Sequence, residues 1–194
     1  MRAFIAVDLS EEIRTRLAEI QEEFARLGLE GTVKFVNPKQ AHQTVKFLGN
    51  VPDDNEEQIT NALAGIRQKP FDTELRGVGS FPAASLEKAR NIRVIWVGMK
   101  AGEAQLKALQ EAVEAEMHAL GFPREKRFNA HVTLCRVKRP FRSKGELRRV
   151  LSKIEELRDA EVGTMRVEEL KLKKSTLTPK GPIYEDVYVQ GLVG

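Results

Sequence analysis

A short strand pattern occurs twice in this chain, as "AHQTVKFLG" at residues 41–49 and as "AHVTLCRV" at 130–137. Each copy sets His-x-Thr among β-branched and large apolar residues, the composition of a strand with one buried face. Alternation of side chains places His42, Thr44 and Lys46 on one face, with Ala41, Gln43, Val45 and Phe47 on the other. In the second copy it sets Cys135 beside His131 and Thr133, and Arg136 opposite them unless the strand bulges or ends there. The third histidine, His118, has no matching partner and reads as structural.

The segments around these strands repeat as well. "SEEIRTRLAEIQEEFARLG" predicts a helix, with Ile13, Leu17, Ile20, Phe24 and Leu27 at three- and four-residue spacing, a Ser10 cap and a Gly28 stop. "AQLKALQEAVEAEMHALG" predicts another that ends in the same Leu-Gly, at Gly121. Two more helices are expected, "DDNEEQITNALAGIRQK" with Asp53 or Asp54 near its cap and "SKGELRRVLSKIEELR" capped by Ser143. Strands are expected at "AFIAVDL", around "TVKFV", and in "FDTELRGVGSFP", "IRVIWVGM", "TMRVEELKLKKSTL" and "IYEDVYVQGL", the last two flanking a turn at 178–182 that includes Lys180. Gly28 precedes His42 by 14 residues and Gly121 precedes His131 by 10, a difference that loop length absorbs. The order implies an α+β fold in which residues 1–194 form a single bilobal domain. Its two lobes, related by a pseudo-twofold axis, would each carry an antiparallel sheet with flanking helices. His42 and His131 would then meet in the central cleft.

At 194 residues the chain is long enough for a substantial core, and 41% hydrophobic with 31% charged residues excludes the disordered and membrane-spanning classes. No apolar run approaches the roughly 18 residues of a transmembrane helix. The opening "MRAFIAVDLSEEIRTRL" passes into helix-like sequence after too short an apolar segment for a secretory signal. Cys135 is the single cysteine, which leaves no disulfide framework and no CxxC metal site, and it reads as a small buried hydrophobe rather than a nucleophile. A cytoplasmic protein is expected, monomeric, away from membranes and without an obligate protein partner. The formal charge is +4, yet residues 121–153 hold 11 Lys or Arg against 2 acids. The rest of the chain is therefore net acidic, and positive charge gathered around His131 suits a polyanionic partner.

Two imidazoles in one cleft can act as an acid–base pair, since at an ordinary pKa of about 6.5 one accepts a proton while the other donates. In-line displacement at phosphorus requires such a pair: one group deprotonates the nucleophile and the other protonates the leaving oxygen. Thr44 and Thr133 can donate hydrogen bonds to non-bridging phosphate oxygens, and Lys46 can add positive charge. Two histidines without carboxylates on their strands make a poor divalent-metal site. With neither HExxH nor GxxxxGK[ST] in the chain, no metal and no other cofactor is expected.

"HQTVKFLG" and "HVTLCR" resemble the paired H-x-T-x motifs of the two-histidine phosphoesterases. "RAFIAVDL", the "FLG" after the first motif, Arg136 after the second, and "LKLKKSTLTPKGPIYEDV" are similar to one branch, the RNA 2′,3′-cyclic phosphodiesterases or 2′-5′ RNA ligases. The resemblance implies hydrolysis of a terminal 2′,3′-cyclic phosphate to a 2′-phosphate without metal, and reversible 2′-5′ ligation without ATP. By motif position it implies that His42 is the proton donor to the departing 3′ oxygen and His131 the base that activates water. Thr44 and Thr133 would hold the phosphate, with Arg136 as a further contact. RNA ends, tRNA fragments among them, would be the partners. Arg124, Lys126, Arg127, Lys138, Arg139 and Arg142 would follow the RNA backbone, and Phe128 or Tyr184 would stack on a base. Two alternatives stay open at this level: an RNA-end binding module without turnover, and a phosphodiesterase of small cyclic nucleotides.

Overall fold

The computed structural model describes residues 1–83, 91–179 and 181–194, without the side chain of Asp53. The elements run β1 (Arg2–Asp8), α1 (Glu11–Ala25), β2 (Val33–Phe35), β3 (His42–Asn50), α2 (Glu56–Ala64), β4 (Phe71–Phe81) and β5 (Val94–Met99). They continue α3 (Glu103–Ala119), β6 (His131–Val137), α4 (Lys144–Glu156), β7 (Glu161–Val167), β8 (Glu169–Thr178) and β9 (Gly181–Gly191). Helix starts follow local chemistry: Ser10 Oγ accepts from the Ile13 amide and Ser143 Oγ from the Glu146 amide, each replacing a bond the first turn cannot make. α1 buries Ile13, Leu17, Ile20 and Phe24, the stripe its spacing predicts, and each such side chain contributes roughly 1.5–3 kcal/mol when fully withdrawn from water. Gly28 then leaves the helical region at φ 69°, where L side chains are strained. α2 differs from expectation, since its N-cap is Asn55 with no side-chain cap bond, and a 3₁₀ turn occupies 53–55. The expected Asp53 cap and the Lys180 position of the last turn lie outside the described residues.

The strands form two antiparallel sheets, ordered β3-β1-β8-β9 and β2-β6-β5-β4-β7. Two lobes are present, but they are not consecutive halves of the chain. β2 and β4, from the first repeat, belong to the second sheet, and β8 and β9 close the first sheet from the C-terminal end. The segment expected as one strand, "TMRVEELKLKKSTL", divides at Glu168, with β7 on the edge of the second sheet and β8 inside the first. Helices are exchanged likewise. α1 follows β1 yet lies against β6 and β7, whereas α3 follows β5 yet lies against β3.

Both motif strands carry a β-bulge at the same place. Ala6 faces Thr44 and Ile5 faces Lys46, leaving Val45 as the extra residue; Trp96 faces Thr133 and Ile95 faces Cys135, leaving Leu134 as the extra residue. An extra residue reverses the alternation beyond it. Each bulge is braced from a helix by a buried polar residue seven positions before the Leu-Gly glycine. From α1, Gln21 Nε2 donates to the carbonyls of Val36 (2.7 Å) and Leu134 (2.8 Å). From α3, Glu114 Oε1 accepts from Lys46 Nζ at 2.8 Å, and Glu114 Oε2 accepts from the Glu125 amide at 3.3 Å.

Candidate active site

The two histidines are held alike. His42 Nδ1 lies 2.8 Å from the Gln40 carbonyl and His131 Nδ1 lies 2.7 Å from the Asn129 carbonyl, in each case two residues upstream. A carbonyl only accepts, so each Nδ1 carries the proton and each neutral ring keeps Nε2 as a base. Aromatic walls stand beside both rings. Phe4 stacks on His42 at 4.7 Å between centroids and Tyr184 meets it edge-on at 5.2 Å. Phe81 meets His131 edge-on at 5.0 Å, with Trp96 at 6.3 Å. Trp96 lies so close over Gly79 that a Cβ there would enter the indole ring.

This burial disfavours the imidazolium and pushes both pKa values below the ordinary histidine value; the carbonyl contacts act the other way. The Arg136 charge adds to the lowering of His42 and His131, so a single guanidinium is felt at both histidines, and it opposes the burial that raises Tyr184. The Lys173 charge also lowers His42, while Asp8 raises it. Asp8 and Asp186 bind Lys171 and Lys173 in one four-charge cluster across β1, β8 and β9, and their carboxyls stay below the usual range against the opposing effect of burial. The lobes are linked directly at the site: Gln43 Oε1 accepts from the His131 amide at 2.6 Å.

The bulges correct the expected faces. Lys46 does not share the His42 face; it is 1% exposed, turned toward α3, and bound to Glu114 and to the Pro123 carbonyl at 2.9 Å. Phe47 takes its place on the cleft side, 60% exposed with its ring 6.4 Å from Phe4. Cys135 likewise leaves the His131 face for the core, where burial pushes its thiol up to about 12. Arg136, beyond the bulge, is exposed and its charge reaches both histidines, where alternation alone set it on the opposite face. Arg127 and Phe128 lie away from the ring contacts of the histidines. Together with Lys107, Arg124 and Lys126 they line a groove of about 470 Å³ beside α3, into which Glu111 and Glu125 also face. Phe128 packs against the core, and Arg142 donates to the Glu30 carbonyl.

Phe4, Phe81 and Trp96 were not marked by the repeat, because β1, β4 and β5 carry no motif of their own, and Gln43 sits inside a motif at its variable position. Gln43 had one signal, an amide on a face expected to be buried. Among the described residues no three His, Cys, Asp or Glu side chains gather as a metal ion requires, and no helix is long and apolar enough to cross a membrane.

Two histidine strands with matched bulges, set at the meeting of two interleaved sheets, define a duplicated phosphoesterase architecture. The family described as LigT like Phosphoesterase matches residues 7–96 and again 97–184, and the chain belongs to that family. It is 38% identical over 191 residues to the RNA 2′,3′-cyclic phosphodiesterase of Methanothermobacter thermautotrophicus, covering 97% of each chain. To the protein of the same name from Archaeoglobus fulgidus it is 38% identical over 189 residues, covering 97% of this chain and 99% of the other. A crystal structure from Thermus thermophilus superposes with a TM-score of 0.78 at 30% identity, covering 100% of this chain and 99% of that one.

Proposed function

We propose that this protein opens RNA terminal 2′,3′-cyclic phosphates to 2′-phosphates by acid–base catalysis between His42 and His131. The observation that carries the reading is the matched pair of Nδ1–H to carbonyl contacts, which leaves both Nε2 atoms available at one site. Curated relatives of the same length named for this reaction support it. His131 Nε2 takes a proton from water as the water oxygen bonds to phosphorus. The P–O3′ bond breaks, and His42 Nε2 gives its proton to the 3′ oxygen, so the 2′-phosphate product holds one added water. The donor role falls to His42 by its motif position; the Lys173 charge outweighs the Asp8 carboxylate at that ring, so the bound phosphate is what favours its imidazolium. Thr44 and Thr133 donate to the non-bridging oxygens, and Arg136 neutralises the charge that builds on them. Phe47 and Tyr184 offer faces for the terminal base, while Arg127 and Phe128 lie along a groove for the strand that leads to it. A 5′-hydroxyl in place of water would give a 2′-5′ linkage by the same proton transfers, provided the second RNA end is held in position.

The test is a short RNA ending in a 2′,3′-cyclic phosphate, incubated with excess chelator and weighed by mass spectrometry. The expected product is heavier by one water. His42→Ala and His131→Ala should each lower the rate by roughly 10²–10⁴-fold while the circular dichroism spectrum is unchanged. Turnover at the wild-type rate in both variants, or loss of turnover on chelation, would overturn the mechanism. Binding without any mass change would make the protein an RNA-end binding module.

A further inference from the structure

We propose that Gln43 is a positioning residue that fixes the His131 backbone against the His42–Thr44 strand and so sets the two imidazoles relative to each other. The proposal rests on the acid–base reading above. Gln43 is 1% exposed, and a buried amide persists only where its polar atoms are satisfied. Its Oε1 accepts from the His131 amide at 2.6 Å and its Nε2 donates to the Thr44 carbonyl at 2.7 Å. Both partners are backbone groups of fixed polarity, so a flipped amide would set donor against donor and acceptor against acceptor. The side chain therefore has one orientation, and it spans 88 residues of sequence to join the two repeats.

Topology explains why the His131 amide needs a side-chain partner. β2 pairs with β6 only at Cys135–Val137, so the His131 end of β6 is an edge turned toward β3, itself the edge of the other sheet. No backbone ladder joins the two edges among the described residues. Gln43 supplies the contact where the sheets meet. The equivalent position of the second copy holds Val132, which is fully buried, so packing alone is met there by an apolar side chain. The tether thus runs one way, from the His42 strand to the His131 backbone. It also draws on the peptide carbonyl of Thr44, so one amide touches the histidine of one motif and the threonine of the other. A misplacement of about 1 Å between reacting groups costs on the order of 100-fold in rate, which is the scale on which such a tether acts.

Gln43→Met keeps the length of the side chain and removes both polar atoms, and Gln43→Val reproduces the residue of the second copy. In each folded variant kcat for opening the cyclic phosphate should fall about 10–100-fold, with KM changed by less than about threefold. Exchange of the His131 amide with solvent, followed by NMR in the ligand-free protein, should accelerate by about tenfold or more. A lowered melting temperature with wild-type kcat would assign Gln43 a structural role only and overturn the proposal, as would unchanged exchange at His131. Should the wild-type protein fail to open the cyclic phosphate, the functional reading fails by itself, and the exchange rate still decides whether the tether exists. If Gln43→Met does not fold, Gln43→Val carries the comparison.

Discussion

His42 and His131 are chemically alike in isolation and differ in what faces them. Both lie below the ordinary value of 6.5 because burial beside aromatic rings opposes the charged form. Activity should reflect this: the bell-shaped profile of kcat/KM in the free enzyme should centre on the acid side of 6.5, its limbs belonging to the coupled pair rather than to either residue. The profile of kcat should lie at higher pH, because bound phosphate favours the imidazolium of His42. A kcat/KM profile centred on the alkaline side would contradict the assignment. Stability follows by linkage. A histidine with a lowered folded pKa leaves the unfolded chain to bind protons first, so stability held above about 6.5 is lost as pH falls from there through the lowered folded values. Asp8 and Asp186, also lowered, lose theirs only below the ordinary carboxylate value of 3.8, so the two losses begin at different pH. The melting temperature should therefore begin to fall as pH drops below about 6.5, and His42→Gln should remove part of that fall. The histidines and threonines are legible in sequence because they recur in one frame, whereas alternation misplaces Lys46 because one extra residue, Val45, reverses the faces that follow it.

At the scale of the element, each motif strand is bulged and each bulge is braced from a helix that follows the other sheet's strand. The bulge explains why two consecutive residues are buried after H-x-T, Val45 and Lys46 in one copy and Leu134 and Cys135 in the other. No alternation rule reveals this, because a bulged strand and a regular one read the same in a single sequence. The braces were hidden for a related reason, since Gln21 and Glu114 sit on helix faces that look solvated until a strand from elsewhere covers them. Lys46 and Glu114 form the costlier of the two braces, an ion pair with side chains 0% and 9% exposed. Lys46→Met should destabilise the fold by about 3–5 kcal/mol in urea titrations, because it leaves the Glu114 carboxylate buried without its cation. Lys46→Met with Glu114→Leu should recover most of the loss, since no unpaired charge remains. A double variant as unstable as the single one would show that Lys46 acts through packing instead.

Interleaving of the repeats governs the molecule as a whole. Duplication was legible from the paired motifs and the two Leu-Gly helix ends, but not that the lobes exchange strands and helices, because pairing partners far apart in sequence leave no local mark. α1 leaves the first sheet to cover β6 and β7, α3 leaves the second to cover β3, and only Glu168 separates the edge strand of one sheet from an inner strand of the other. Each sheet loses one of its covering helices, α3 from the first or α1 from the second, if the other half of the chain unfolds. Residues 1–194 should accordingly unfold as one unit, although two sheets and two lobes are present. Trp96, the only tryptophan, reports on the second sheet beside His131, while far-ultraviolet circular dichroism reports on both. Urea titrations followed by the two signals should give coincident midpoints and a single slope. A tryptophan midpoint displaced from the dichroism midpoint would mean that the second lobe opens alone, and that its contacts with α1 contribute too little to couple it to the first. The single transition matters for the site, since His42 and His131 stand on different sheets and keep their relative position only while both sheets are intact.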